Sequence, residues 1–598
     1  MQLSDIDSAN NLVELFLKRA DARQSRPFLG AKKGGTWQTE SWSEVAGKVC
    51  LLAEALRSLG LEDGDRVALV SENRPEWCIA DLAIMAAGCI TVPAYVTNTE
   101  RDHQHILDNS GARAVIVSNE KLSRPLIPAM MRTGIAEHVV AIDGIRQYQG
   151  GQIACHMWDR LLEGHPAAAR KAVEARIGRI GRGDTACIIY TSGTGGAPRG
   201  VLQHHGAILC NVAGAGAILQ EDFGLEDDER FLSFLPLSHA YEHTGGQYLP
   251  IACGAEIYYS EGLEKLASNI EETRPTIMVV VPRLFEVLRT RIMKTVEKQG
   301  KVPNYLMTRA LEIAGHPKKR LRDRPMDLVV DRLLRPKIRA RFGGRVKAMV
   351  SGGAPLNPEV GNFFDAMGLT VLQGYGQTEA GPVISCNRPR AGIKMDTVGP
   401  PMRGVEIRIA EDGEILCRGE LVMHGYWRNQ AETDRALKDG WLHTGDIGHL
   451  DDRGRIVITD RKKDMIVNDK GDNVAPQKVE GMLTLQPEIA QAMVSGDKRP
   501  YLVGLIVPDA DWMVEWCQAN GKKFDCRNLA DLPEFRSAVR AAVDRTNQDL
   551  SVIEKVRQFA LADEPFSTDN EELTPSLKIR RHKIRERYGA RLDSLYKG

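Results

Sequence analysis

The chain has 598 residues, and its 79 lysines and arginines balance 79 aspartates and glutamates. This length exceeds what one hydrophobic core supports, which predicts several domains. A composition of 43% hydrophobic and 26% charged residues excludes a disordered or coiled-coil chain, and zero net charge argues against a general nucleic-acid binder. The eleven cysteines form no CxxC pair, which argues against a disulfide framework or zinc site and suits a reducing cytosol.

The N-terminal quarter predicts neither a secretory signal nor a spanning helix. Residues 1–24 lack a basic stretch followed by an apolar one. The most membrane-like run, residues 78–96, is interrupted by Asp81, Gly88 and Pro93. A buried helix that leads into a buried strand fits it better than a spanning helix. We therefore expect a cytoplasmic protein, at most peripheral to the inner face of a membrane.

Short apolar runs that end in glycine or a turn predict buried strands of mostly parallel sheets. They occupy residues 66–73, 112–119, 185–193, 277–282 and 346–353. Helical patterns lie between them; in residues 357–367, one face carries Val360, Phe363, Phe364 and Met367. This alternation predicts an α/β architecture.

The pattern changes after about residue 400. Residues 404–420 and 455–467 are typical of hairpins with polar turns. The C-terminal part carries two strand-like runs, residues 492–497 and 501–509, and several helices, which predicts a small α+β domain. The predicted division is an N-terminal domain over 1–459, a charged hinge over 460–463 and a C-terminal domain over 464–598.

Residues 283–347 form a basic segment in an otherwise neutral chain. They hold 19 lysines and arginines against 6 acidic residues, a net charge of 19 − 6 = +13, in a helical pattern. One interpretation is a solvated helical insertion. The other is a surface that meets anionic lipid headgroups or an anionic substrate.

The strongest local signal is YTSGTGGAPRG, residues 190–200, which follows a predicted strand. Its glycines permit close approach of backbone N–H groups, its hydroxyls add donors, and Arg199 adds a fixed positive charge. These features suit a polyphosphate, although the loop is not a Walker A sequence. An ordinary tight turn is the alternative.

Other motifs, taken with this loop, resemble the adenylate-forming superfamily over nearly the whole chain. They are LPLSHAYE (235–242), SGGAPL (351–356), GYGQTE (374–379), WLHTGD (441–446), DRKKDMI (460–466), KGDNVAPQKVE (470–480) and LTPSLKIRR (573–581). Within that superfamily, LPLSHAYE, VPRLFE (281–286) and the basic insertion are most similar to long-chain fatty acyl-CoA synthetases.

The resemblance implies a large domain of mostly parallel sheets with a distorted β-barrel region, and a small mobile C-terminal domain. It implies ATP-dependent conversion of a fatty acid to acyl-AMP and then acyl-CoA, with ATP, Mg²⁺ and CoA as the molecules bound. The alternatives are an acyl-AMP ligase that loads a carrier protein, an aryl- or short-acyl-CoA ligase, and a nucleotide-binding scaffold without catalysis.

The resemblance also implies roles for individual residues. Lys578, His239 and Glu379 are the implied catalytic residues; Glu379 and Thr191 would hold the metal; Lys463 is the pivot. Gly471, Asp472 and Asn473 form the loop on the CoA side. The implied ATP-binding residues are Thr191, Ser192, Gly193, Thr194, Arg199, Gly353, Ala354, Pro355, Gln373, Gly374, Tyr375, Gly376, Thr378, Asp446 and Arg461.

Taken singly, these residues admit simpler interpretations. Asp446 is also typical of an aspartate that hydrogen-bonds its own backbone in a turn. Lys578 is typical of an exposed basic tail, and a lone histidine such as His239 is typical of a structural role. The chain also departs from the pattern of its relatives. Arg199 stands where lysine is usual, which changes the geometry of the charge, and no tryptophan lies near His243, where some relatives place a gate.

Overall fold

The computed structural model describes residues 3–146, 153–191, 197–314, 323–522, 529–574 and 578–597. It is an α/β structure with two large, mostly parallel sheets, a smaller curled sheet and a separate C-terminal sheet. The predicted fold class is confirmed. The ten cysteines within the described ranges are all free.

The first sheet has seven strands, and neighbouring strands are parallel except for the last pair. Their spatial order is Ala154–Met157, His138–Ala141, Ala114–Val117, Arg66–Val70, Ile90–Ala94, Thr185–Thr191 and Arg199–His204. Apart from Arg66 at the start of its strand, the strands Arg66–Val70 and Ala114–Val117 are apolar, because both faces of the sheet are buried.

The second sheet has eight strands, parallel in its middle and antiparallel at both edges. Their order is Val383–Cys386, Val371–Gly376, Ala348–Ser351, Ile277–Val280, Arg230–Ser233, Glu256–Tyr259, Pro27–Lys33 and Thr36–Ser41. All five strands predicted from apolar runs are confirmed across the two sheets. The carboxyl ends of such strands are where ligands bind in α/β proteins.

Helices connect these strands. They are Leu3–Ser8, Leu12–Arg23, Trp42–Ser58, Pro75–Ala86, Glu100–Ser110, Glu120–Thr133, Trp158–Leu161, Pro166–Ile177, His205–Phe223, Ala240–Glu242, Leu249–Cys253, Leu266–Thr273, Pro282–Lys298, Lys301–Ala314, Arg324–Leu333, Arg335–Arg341 and Pro358–Ala366, with a π-helix over His243–Tyr248 and 3₁₀ turns over Thr378–Ala380 and Pro389–Ala391. The predicted pairing of a buried helix and strand over 78–96 is confirmed, and so is the helical character of the basic segment. Within the described ranges, no helix is both long and apolar enough to cross a bilayer.

The curled sheet has five strands: Glu406–Ile409, Glu414–Arg418, Leu437–Lys438, Trp441–Leu450 and Ile456–Arg461, with the helix Gln430–Ala436 beside it. The predicted hairpin over 404–420 is confirmed. The predicted hairpin over 455–467 is wrong. Ile456–Arg461 pairs with Trp441–Leu450, whereas Ile466–Val467 pairs with Asn473–Val474, because the charged run between them sends the two apolar halves into different sheets.

The C-terminal part is built on the strands Ile489–Ser495, Leu502–Pro508 and Val556–Leu561. Sequence patterning found the first two and missed the third, whose alternation of exposed and buried residues is weak. Among the described residues, the helices Pro476–Leu483, Ala510–Ala519, Pro533–Gln548 and Arg581–Ser594 cover this sheet. Its apolar cores, which include Val479, Phe535 and Val539, are separate from those of the large sheets.

Candidate active site

One open cleft of about 2350 Å³ lies where the large sheets, the curled sheet and the C-terminal part meet. Residues predicted from widely separated motifs line it together: Thr191, Arg199, His239, Gly353, Ala354, Pro355, Gln373, Gly374, Tyr375, Gly376, Thr378, Glu379, Asp446, Arg461, Lys463 and Lys578. Ser192, Gly193 and Thr194 of the predicted phosphate loop lie outside the described residues.

The two ends of the predicted phosphate loop are held by an antiparallel pair of strands. Thr191, at the end of the first strand, lies opposite Arg199, at the start of the second. The Thr191 hydroxyl is buried and has no hydrogen-bond partner within the described ranges. The Arg199 guanidinium, by contrast, forms an ion pair with Glu432, in which Nη1 lies 2.5 Å from Oε2.

The strand Val371–Gly376 brings Tyr375 into the wall of the cleft. Tyr375 is buried, and its hydroxyl donates a hydrogen bond to Oδ2 of Asp446 over 2.7 Å. Gly376 is required by packing, since a Cβ atom at this position would lie 1.8 Å from the carbonyl oxygen of Pro382. The close approach of these two backbones sets the turn that presents Thr378 and Glu379.

Glu379 lies in the 3₁₀ turn directly after that strand. Its Oε1 accepts a hydrogen bond from the Tyr426 hydroxyl over 2.7 Å, and its carbonyl oxygen accepts one from the backbone N–H of Met423 over 2.9 Å. The neighbouring carbonyl of Thr378 accepts from Nε2 of Gln203. Main-chain and side-chain contacts thus fix the position of this carboxylate.

The end of the strand Ala348–Ser351 carries the segment with Gly353, Ala354 and Pro355. Gly353 has φ +82°, a conformation that favours glycine. Gly352 packs so closely on Tyr241 that a Cβ atom there would lie 2.7 Å from the ring. The Tyr241 hydroxyl in turn donates to the carbonyl of Val350 over 2.9 Å.

Asp446 and Arg461 face each other on adjacent antiparallel strands of the curled sheet. Arg461 Nε lies 3.3 Å from Oδ1 of Asp446, whose side chain is only 6% exposed. Burial raises the pKa of Asp446, and the positive charge of Arg461 opposes that rise. The carboxylate therefore carries two partners, Tyr375 and Arg461, from two different sheets.

Lys578 lies in the cleft rather than on an exposed tail, so the expected exposure of this lysine is wrong. Burial and the positive charge of Arg461 together lower its pKa to about 8, although Asp446 and Glu379 act in the opposite direction. Its backbone N–H donates to the Thr574 hydroxyl over 3.0 Å, and its carbonyl oxygen accepts from the Thr574 N–H over 2.8 Å. Packing of the C-terminal part against the curled sheet produces this burial.

His239 is neutral at physiological pH. Burial, assisted by the charge of Lys578, lowers its pKa to about 3. Its Nδ1 accepts a hydrogen bond from the backbone N–H of Tyr241 over 3.2 Å, which leaves the proton on Nε2. His239 is therefore a hydrogen-bond donor in the wall of the cleft.

The remaining predicted residues divide between the cleft and the surface. Lys463 lines the cleft beside Lys462, whose Nζ pairs with Asp412 over 2.6 Å. Residues 471–473 are exposed and lie outside the cleft lining. Lys578 and this loop thus belong to the same C-terminal part but face different surroundings.

Sequence reasoning missed two residues that contact the predicted ones. Tyr426 reaches Glu379, and Glu432 reaches Arg199. Both lie in HGYWRNQAE, residues 424–432, where an aromatic pair follows glycine at a turn. That pattern was the available signal, since aromatic residues at a loop tip often serve a site.

Comparison with known proteins agrees with this geometry. The AMP-binding enzyme family matches residues 16–427, and the AMP-binding enzyme C-terminal domain matches residues 463–598. The chain belongs to the AMP-binding enzyme family.

Two sequence relatives and one solved structure show what this chain is similar to. The chain is 34% identical to the long-chain-fatty-acid–CoA ligase FadD15 of Mycobacterium tuberculosis, with 94% of this chain and 93% of that protein covered. It is 29% identical to the peroxisomal long chain acyl-CoA synthetase 7 of Arabidopsis thaliana, over 99% of this chain and 87% of that protein. The fold matches the adenylation domain of a carboxylate reductase from Mycobacterium chelonae with a TM-score of 0.75 at 20% identity, over 100% of this chain and 93% of that one.

Proposed function

We propose that this protein activates a long-chain fatty acid with ATP, forming acyl-AMP and then acyl-CoA. The observation that carries the proposal is the meeting of Lys578, Asp446 and Glu379 in one cleft, although their motifs are distant in sequence. The names of the relatives supply the acyl class, since both sequence relatives are described as acting on long-chain substrates.

In the first step, an oxygen of the fatty-acid carboxylate attacks the α-phosphorus of ATP, and pyrophosphate leaves. Lys578 in its ammonium form would stabilise the negative charge that develops between the two anions. His239 would donate a hydrogen bond from Nε2 to the acid carboxylate. Tyr375 offers a ring to adenine, and Asp446 with Arg461 would bind the ribose.

Mg²⁺ fits the residues proposed for it. Thr191 has a buried hydroxyl without a partner within the described ranges, and Glu379 offers a carboxylate held by Tyr426; oxygen ligands of this kind suit Mg²⁺. When bound, the ion supplies charge neutralisation for the phosphates. The chain's own contribution is to hold Thr191, at the end of one strand, and Glu379, in the turn after another strand, in the lining of the same cleft.

In the second step, the CoA sulfur attacks the acyl carbon, the bond to AMP breaks, and the thiol proton is lost. We propose that residues 464–598 turn about Lys463 between the steps. Lys578 occupies the cleft in the present arrangement, whereas residues 471–473 are exposed. A rotation would exchange these two surfaces at the site.

The test separates the two steps. Acyl-AMP should be trapped by hydroxylamine when the protein receives ATP, Mg²⁺ and palmitate without CoA. In a parallel reaction without hydroxylamine, addition of CoA should convert the acyl-AMP to acyl-CoA with release of equimolar AMP. Transfer to a carrier protein but not to CoA would favour the acyl-AMP ligase alternative, and absence of acid-dependent pyrophosphate would leave only a nucleotide-binding scaffold.

We also propose peripheral contact with an anionic membrane through the basic segment. The helices Lys301–Ala314 and Arg324–Leu333 expose large apolar side chains: Val302 is 67% exposed, Leu328 55% and Leu333 54%. Apolar side chains beside lysines and arginines are typical of surfaces that lie on anionic bilayers. Four basic residues of this segment, Lys318, Lys319, Arg320 and Arg322, lie outside the described residues.

Sedimentation with liposomes tests this contact. Binding should require anionic lipid, weaken at high salt and decrease in Leu328→Glu/Leu333→Glu. Val552→Glu is the control, because Val552 is 73% exposed in the C-terminal part. Equal binding to neutral liposomes, or no binding at low salt, would instead favour the interpretation of this segment as a solvated helical insertion.

A further inference from the structure

Arg199, the cation after the phosphate loop, contacts two side chains from one later segment. Its Nη1 lies 2.5 Å from Oε2 of Glu432, and its guanidinium carbon lies 4.5 Å from the centre of the Tyr426 ring. Both Arg199 and Glu432 are about three-quarters buried in this pair. The guanidinium is therefore held in place before any nucleotide is bound.

The same tyrosine reaches the proposed metal ligand. The Tyr426 hydroxyl donates to Oε1 of Glu379 over 2.7 Å, and its side chain is only 7% exposed overall. Glu432, Arg199, Tyr426 and Glu379 thus form a continuous chain of contacts along one wall of the cleft, and all four line it. Glu432 thus anchors the cation Arg199, and Tyr426 anchors the proposed metal carboxylate Glu379.

The ion pair with Glu432 does not use Nε of Arg199. This nitrogen is buried and has no acceptor within the described ranges. A buried donor without a partner is unfavourable, so Nε is suited to an acceptor that arrives with a ligand. Guanidinium binds phosphate oxygens with paired N–H donors, and a triphosphate supplies such oxygens.

We propose that Glu432 and Tyr426 are positioning residues for MgATP: Glu432 acts through Arg199 on the phosphates, and Tyr426 acts through Glu379 on the metal. The proposal rests on the proposed function, in which Arg199 meets phosphate and Glu379 meets Mg²⁺. Arg435 also pairs with Glu432, which holds the carboxylate from its other side.

Isothermal titration calorimetry of the full chain separates the two roles and does not depend on turnover. The ligands are MgATP and ATP in EDTA. Glu432→Gln should weaken both ligands by about tenfold, because it loosens a charge-assisted contact to the phosphate-binding cation. Tyr426→Phe should weaken MgATP several-fold while it leaves metal-free ATP unchanged.

Asp434→Asn is the matched control. Asp434 lies on the same short helix and pairs with Gln430 rather than with Arg199, so the variant changes the charge equally but should bind both ligands as the parent does. In an Arg199→Ala background, Glu432→Gln should have no further effect. Circular dichroism and thermal melting confirm that each variant is folded.

Several results would overturn the proposal. They are an unchanged or tighter affinity in Glu432→Gln, an equal loss in Asp434→Asn, an additive loss in the Arg199→Ala background, or an equal loss of both ligands in Tyr426→Phe. A parent protein that binds MgATP as described but releases no acid-dependent pyrophosphate would refute the proposed function while leaving these positioning roles intact. A parent protein that binds no MgATP would refute both.

Discussion

The Tyr375 hydroxyl donates a hydrogen bond to Oδ2 of Asp446 over 2.7 Å and so joins the second large sheet to the curled sheet. The two residues are 71 positions apart in the chain. This contact places a flat aromatic ring and a carboxylate side by side, as the adenine and ribose contacts proposed above require. The same Asp446 also meets Arg461.

Asp446→Ala and Arg461→Ala should weaken ATP more than fatty acid. Each removes a group proposed to contact the ribose, whereas neither is proposed to contact the acid. Separate KM values for ATP and acid measure the difference. Asp452→Ala, an exposed acid in the turn after the same strand, should leave both unchanged, and a larger loss for the acid would contradict the ribose role.

Lys578→Ala should lower the rate of acyl-AMP formation by about 10²–10³ while the protein stays folded, since one preorganised charge at a developing anion is lost. Hydroxamate trapping measures this rate. Lys583→Ala is the control, because Lys583 does not line the cleft and its Nζ lies 3.1 Å from Oε2 of Glu586. Unchanged adenylation in Lys578→Ala would remove this lysine from the mechanism.

Adenylation should also depend on pH through Lys578. Its pKa is lowered to about 8, and only the ammonium form is positively charged, so kcat/KM should fall as pH rises through about 8. The profile of kcat/KM reports ionisations of the free enzyme. In Lys578→Arg the rate should be lower, but the fall of kcat/KM at alkaline pH should move to higher pH. If the fall stays at the same pH, it reports the ionisation of another group.

Gly376→Ala should destabilise the protein by about 2 kcal/mol or more, because its Cβ would overlap the Pro382 carbonyl and force the backbone apart. Thermal melting and urea unfolding measure the loss. Gly374→Ala on the same strand is the control, since a Cβ there would lie an ordinary 3.5 Å from the nearest atom. Equal stability of the two variants would contradict the packing at Gly376.

Asp81 anchors a buried polar cluster beneath the segment that carries His239. Its Oδ2 accepts from Nε2 of Gln247 over 2.7 Å and from the Tyr248 hydroxyl over 2.6 Å, and lies 2.9 Å from Nε2 of His243. These partners hold its pKa below the usual value despite burial.

Asp81→Ala should therefore lower the free energy of unfolding by about 3 kcal/mol, because buried donors lose their acceptor. Since folding lowers the pKa of Asp81, its contribution is present above the unfolded value of about 3.9 and is lost as pH falls through the folded value. Urea unfolding at pH 7 measures the effect. The exposed Asp108→Ala should cost little, and an equal cost would contradict the anchor.

Much of the fold followed from local pattern. Apolar runs predicted the strands Arg66–Val70 and Ile277–Val280. A strand that is buried on both faces forms a short continuous apolar run, which is easy to recognise in the sequence. The prediction of a hairpin over 455–467 was wrong because strand pairing is decided by partners elsewhere in the chain. The third C-terminal strand, Val556–Leu561, was not predicted because its alternation of exposed and buried residues is weak.

Less of the site could be predicted. Motifs predicted residues such as Asp446 and Lys578, but their environment depends on tertiary packing. The environment of Lys578 arises where the C-terminal part meets the rest of the cleft, and the pairing of Arg199 with Glu432 joins residues 233 positions apart. No local periodicity encodes either contact.

The central claim is that this chain forms acyl-CoA from a long-chain acid, and product analysis with free acids of graded length tests it most directly. Purified protein receives ATP, Mg²⁺ and CoA with acids from acetate to stearate and with benzoate, and acyl-CoA, AMP and pyrophosphate are quantified together. We predict the three products in equal amounts, with kcat/KM highest for the long-chain acids. Acyl-AMP that accumulates without acyl-CoA, or a preference for benzoate or acetate, would contradict the account.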